Sequence, residues 1–124
     1  MAPDKPWLEY YGDVPHSIDY PEVTMYEALM RTVEHCPDAL AYDFFGTTAT
    51  YRQFADEIER CASALAALGL KPGDRMTIAM PTCPQAVIGF YAVNRLGGVA
   101  SMIHPLSTAT EIEFYLNLSQ SPSL

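Results

Sequence analysis

The tightest constraint on the fold lies between residues 75 and 103. After the turn Lys71-Pro72-Gly73-Asp74, the run Arg75-Met76-Thr77-Ile78-Ala79-Met80 reads as a strand. Pro81-Thr82-Cys83-Pro84 breaks it, and Pro84 suits the first turn of a helix, where its missing N–H costs nothing. From Pro84 to Leu96 the chain is apolar almost all round, the pattern of a helix covered on more than one side. Gly97-Gly98 stops that helix, and Val99-Ala100-Ser101-Met102-Ile103 is a second strand ending at His104-Pro105. Strand, helix and strand in this order form a βαβ unit, with parallel strands and a right-handed crossover expected. The fold class is α/β.

Three further segments open with one start signal. Thr24-Met25-Tyr26-Glu27, Thr50-Tyr51-Arg52-Gln53 and Thr108-Ala109-Thr110-Glu111 each match a capping box. In such a box the Thr hydroxyl takes the N–H three residues on, while the Glu or Gln reaches back. The spacing predicts helices over about 25–35, 51–68 and 109–118. The first carries Met25, Leu29 and Val33 on one face and ends at Cys36-Pro37. The second carries Phe54, Ile58, Cys61, Leu65 and Leu68 on one stripe, with Gly69 as its C-terminal cap. Between them, Ala39–Phe45 and Thr48–Thr50 read as a short hairpin turning at Gly46-Thr47. Four helices, one hairpin and the βαβ unit account for residues 23–120.

Residues 1–22 form a Pro- and acid-rich arm. Proline at 3, 6, 15 and 21 argues against regular helix, so an extended course is expected, with Trp7, Tyr10, Tyr11 and Tyr20 anchoring it to the body. The chain carries a formal charge of −8, with a pI near 4.6. Residues 1–60 hold all of that excess, and residues 61–124 are balanced and apolar. Phosphate neutralisation needs clustered Lys and Arg, so nucleic acid is excluded as a partner. Cys36, Cys61 and Cys83 are odd in number and widely spaced, which argues against a disulfide framework. No signal-peptide core precedes them, and no apolar run approaches the ~18 residues of a membrane span. A cytoplasmic location is expected.

The phosphate-loop motif, the dinucleotide fingerprint and the nucleophile elbow are all missing. Gly97-Gly98 follows a helix, whereas phosphate-binding glycines follow a strand and open one. His16, His35 and His104 show no metal-ligand spacing with the cysteines. Asp56, Glu57 and Glu59 fall on the outer side of the second helix, as a solvated face would. His104 follows the carboxyl end of a βαβ strand, where ligands of open α/β sheets gather. A plain strand-end turn before Pro105 is the simpler account of it. No catalytic, cofactor-binding or metal-ligating residue is assigned.

The run from Gly69-Leu70-Lys71-Pro72-Gly73-Asp74-Arg75 through Ile78 and Pro81-Thr82-Cys83-Pro84-Gln85 resembles the opening portion of the AMP-forming acyl-CoA synthetases. These belong to the adenylate-forming superfamily, which includes fatty-acid–CoA ligases. Thr50-Tyr51-Arg52-Gln53-Phe54, Leu96-Gly97-Gly98-Val99, His104-Pro105-Leu106 and Glu111-Ile112 through Leu116 are similar to further family segments in the same order. The resemblance spans about residues 22–120. His104 and Thr82 stand where Asn is common in the family.

The resemblance implies an incomplete N-terminal subdomain over 23–120, with 121–124 a tail at the truncation point. It also implies a parent that joins a carboxylate to CoA through an acyl-adenylate, using ATP and Mg²⁺. The family's phosphate loop, its ribose-binding Asp and its C-terminal Lys have no counterpart in these residues. The chain by itself is therefore expected to be inactive, with the rest of the ligase as its natural partner and a homodimer formed through uncovered apolar surface. A free-standing interaction module on the ligase scaffold is the alternative. A small α/β enzyme of another kind ranks third.

Overall fold

A computed structural model describes residues 5–122. The elements are α1 (Met25–His35), β1 (Leu40–Phe44), β2 (Thr47–Thr50), α2 (Tyr51–Ala67), β3 (Arg75–Ile78), α3 (Pro84–Arg95), β4 (Val99–Met102) and α4 (Ala109–Ser119). All three capping boxes form, each with the Thr side chain and the N3 side chain satisfying the other's backbone N–H. Gly69, Gly97 and Gln120 close α2, α3 and α4 in one manner. Their N–H groups return to Ala66, Asn94 and Asn117, and the following N–H groups return to Leu65, Val93 and Leu116.

The core lies where α1, α2 and α3 meet. Leu29, Phe54, Ile58, Ala62 and Ala92 form its buried cluster, with Ile58 and Ala92 fully enclosed. Burying an isoleucine of this kind stabilises the fold by roughly 1.5–3 kcal/mol. Small side chains at 62 and 92 let α2 and α3 approach closely. The hairpin closes one flank through rings: Tyr42 meets Phe54 edge-on at 5.7 Å, and Phe54 meets Tyr91 at 5.9 Å.

The βαβ unit forms as read. Strands β3 and β4 pair in parallel, Arg75 opposite Val99 and Ile78 opposite Met102. Gly98 has a packing reason: an added Cβ would sit 3.0 Å from Val93 Cγ1 and 3.2 Å from the Asp74 carbonyl. This pair and the antiparallel β1–β2 pair are separate two-stranded sheets, so each strand has one unpaired edge among the described residues.

Several expectations need correction. The arm is not wholly extended, because Pro6–Tyr10 winds into a 3-10 helix with Pro6 at its first position. Its residues 1–4, including Pro3, lie outside the described residues. Three of the four expected aromatic anchors fail too: Trp7 is 53% exposed, Tyr10 87% and Tyr20 78%, whereas Tyr11 is half-buried. The hairpin turns at Phe45-Gly46, one residue earlier than expected, with φ of 51° and 85°. Leu68 lies past the last turn of α2 and is exposed. Helix α3 buries only Ala86, Ala92 and Val93. Ser121 is no loose tail, since it is buried and its hydroxyl donates to the Arg75 carbonyl at 2.9 Å. Residues 123–124 of the expected tail lie outside the described residues.

Candidate functional site

Polar side chains converge at two places. At the first, α1, α2 and α3 come together around Glu59. Its Oε1 accepts from the Tyr26 hydroxyl and, at 2.9 Å, from Arg95 Nε. The Arg95 guanidinium also lies over the Tyr26 ring, 5.6 Å from its centroid. Next to them, Asn94 Oδ1 accepts from the Tyr26 backbone N–H at 2.8 Å, satisfying a donor left free by the first turn of α1. The Tyr26 hydroxyl is the main cause holding the Glu59 carboxyl below its ordinary value; burial opposes it, and Arg95 adds to the lowering. Burial first, and then Glu59, push the Tyr26 phenol upward.

Thus Glu59 does not belong to a merely solvated face, and neither does Glu57, which accepts from the Tyr42 hydroxyl at 2.9 Å. Local spacing could not have exposed either contact, because Tyr26 and Arg95 stand 33 and 36 residues from Glu59. Chemically the group is a clasp: its hydrogen bonds run between its own members, and it joins three helices.

The second place is the carboxyl end of β4. A cleft of about 350 Å³ opens between β4 and α4, lined by Ser101, Met102, His104, Tyr115, Leu118 and Ser119. His104 is exposed, and its Nδ1 accepts from the Leu106 N–H at 3.2 Å. That bond requires an unprotonated Nδ1, so the neutral ring carries its proton on Nε2. The capping box of α4 holds Glu111 close by. The Thr108 N–H, first, and its hydroxyl keep the Glu111 carboxyl below its ordinary value, against a smaller opposing effect of burial.

A third feature, an apolar groove of about 300 Å³ between the hairpin and the start of α3, is lined by Tyr42, Phe44, Phe54, Cys83 and Val87 among others. Cys36, Cys61 and Cys83 are free thiols. Burial pushes the Cys61 thiol up, which makes it less reactive. Among the described residues, no three His, Cys, Asp or Glu side chains group so as to hold a metal.

The profile of the AMP-binding enzymes matches residues 29–124. The chain belongs to the AMP-binding enzyme family. Within this family it is 36% identical, over 121 residues, to the long-chain-fatty-acid–CoA ligase of Bacillus subtilis (strain 168). That match takes in 97% of this chain but 22% of the ligase, so the chain spans about a fifth of its relative's length.

Among solved structures, it is similar to the inhibitor-bound N-terminal domain of FACL13 from Mycobacterium tuberculosis. The TM-score is 0.77 at 31% identity, covering 81% of this chain and 26% of that one. The fused adenylation–PCP di-domain NpsA-ThdA from Klebsiella oxytoca gives a TM-score of 0.78 at 22% identity, covering 82% and 19%. That likeness is one of fold. The α/β architecture of this chain is thus the one found in N-terminal adenylation subdomains. No step of adenylation is assigned to its described residues.

Proposed function

We propose that this chain is the N-terminal piece of an AMP-forming fatty acyl-CoA ligase of long- or medium-chain type, and that it is inactive alone. The parent joins a carboxylate, ATP and CoA into acyl-CoA, AMP and pyrophosphate. The observation that carries the proposal is the 36% identity running along 97% of the chain. The missing phosphate loop and downstream Lys explain the inactivity. ATP, Mg²⁺ and CoA are then needs of the parent, and no catalytic, cofactor-binding or metal-ligating residue lies in this piece.

A cytoplasmic location is part of this reading; no described helix is long and apolar enough to cross a membrane. The piece supplies the helical core and the β3–β4 unit, and the rest of the ligase is its partner across the open strand edges. ATP–pyrophosphate exchange with a panel of fatty acids is the test. No exchange is expected from the 124-residue chain, and robust exchange would refute the assignment. One observation favours the interaction-module reading instead: Trp7, Tyr10, Val14, Ile18 and Tyr20 all stand exposed along the arm. A stop codon directly after Leu124 would support that reading.

A further inference from the structure

The arm over residues 5–22 presents large apolar side chains that this chain leaves uncovered. Trp7 and Tyr10 stand three apart in the 3-10 helix Pro6–Tyr10, a spacing that puts them on one face, and both are exposed. Val14, Ile18 and Tyr20 continue the exposed apolar series. Among the described residues, the arm's hydrogen bonds reach no further than Val23, and its ring contact, Tyr11 against His16 at 5.5 Å, is internal. Tryptophan and tyrosine are the side chains that most often anchor protein interfaces.

Charge and length bear on what covers them. Residues 5–22 hold Glu9, Asp13, Asp19 and Glu22 against Lys5 alone. Residues 23–60 are acidic in excess too, and residues 61–124 are balanced, so neither this chain nor a second copy offers a matching excess of positive charge. The AMP-binding profile begins at residue 29, whereas the match to the Bacillus subtilis ligase takes in 97% of the chain and so runs through the arm. About four-fifths of that ligase lies outside the match. We infer that the arm docks on the part of its own ligase that follows residue 124, on a surface with an apolar slot for Trp7 and Tyr10 and a rim of Lys and Arg facing Glu9, Asp13 and Asp19. The inference rests on the acyl-ligase reading above. An arm held in this way clips the start of the N-terminal piece to the body of the enzyme, and salt weakens the hold by screening the rim charges.

The test places 5-fluorotryptophan in the full-length protein and in the 124-residue chain. Trp7 is the one tryptophan of the chain, so its fluorine resonance in the full-length protein is the one lost in Trp7→Phe. A soluble nitroxide should broaden it strongly in the 124-residue chain and several-fold less in the full-length protein. Tyr10→Ala combined with Tyr20→Ala should lower the melting temperature of the full-length protein and leave the urea midpoint of the 124-residue chain in place. Equal broadening in both proteins would overturn the inference, since the arm would then await a separate partner or none. Protection that vanishes on dilution, the mark of a second copy, would overturn it as well. So would an unchanged melting temperature in the full-length protein, or a reading frame that closes after Leu124. ATP–pyrophosphate exchange on the same protein keeps the two readings apart. Exchange with an unprotected Trp7 sinks the docking alone, and a protected Trp7 without exchange sinks the acyl-ligase assignment alone.

Discussion

Phe45 shows what a single residue can cost. It occupies the first of two left-handed positions in the hairpin turn, φ 51°, with its side chain 96% exposed. Such turns favour Asn-Gly, because a β-carbon next to the following carbonyl is penalised in this conformation. Asp43 compensates in part, its Oδ1 accepting from the Gly46 N–H at 2.9 Å. Phe45→Asn is expected to stabilise the chain by about 1 kcal/mol, seen as a higher urea midpoint at unchanged slope. An unchanged midpoint would mean that the Phe44–Phe45 edge contact, at 4.8 Å, offsets the strain.

Glu59 gives the residue scale its pH dependence. Its folded pKa lies below the ordinary 4.5, first through the Tyr26 hydroxyl and then through Arg95. A carboxyl depressed on folding adds stability that is fully present above its unfolded value and disappears as pH falls through the folded one. The stability gap between the native chain and Glu59→Gln should therefore be open at pH 7 and narrow below pH 4.5. Urea midpoints at pH 7 and pH 3 measure it, and a constant gap would remove Glu59 from the acid response.

At the scale of elements, local chemistry and packing divide the work. The capping boxes of α1, α2 and α4 were legible because every atom involved lies within four consecutive residues. The incomplete burial of α3 was not legible, because the partners of Val87 and Phe90 are set by elements distant in sequence. Strand β3 shows the same limit. Thr77 is 1% exposed at its centre, and its Oγ1 finds no partner among the described residues. A buried hydroxyl without a partner is destabilising, and an apolar group of equal shape removes that penalty. Thr77→Val is expected to raise stability by about 1 kcal/mol, measured by thermal or urea unfolding. A loss of stability would imply that the hydroxyl is bonded to water.

At the scale of the molecule, the charge split and the exposed apolar side chains belong together. Met80, Val87, Val99, Met102, Leu106, Phe114 and Leu118 are exposed, and all lie in the half without net charge. Strands β3 and β4 offer their free edges in the same half. Unpaired edges beside apolar surface favour association. In isolation the chain is expected to form dimers at high micromolar concentration. Light scattering reads this directly, and a clean monomer there would contradict it.

The sequence by itself determined the order of elements, the helix starts and the βαβ unit, since caps, prolines and apolar periodicity act over a few residues. It also carried the family resemblance, which is a property of ordered motifs. Only the tertiary structure decided that Glu59 ties three helices together, that Trp7, Tyr10 and Tyr20 of the arm are exposed, and that Ser121 docks on β3. These contacts join residues tens of positions apart, or depend on surface that no local pattern encodes. The same holds for His104: its place after a strand was readable, but its bond to Leu106 and the cleft it borders exist only once α4 is set beside β4.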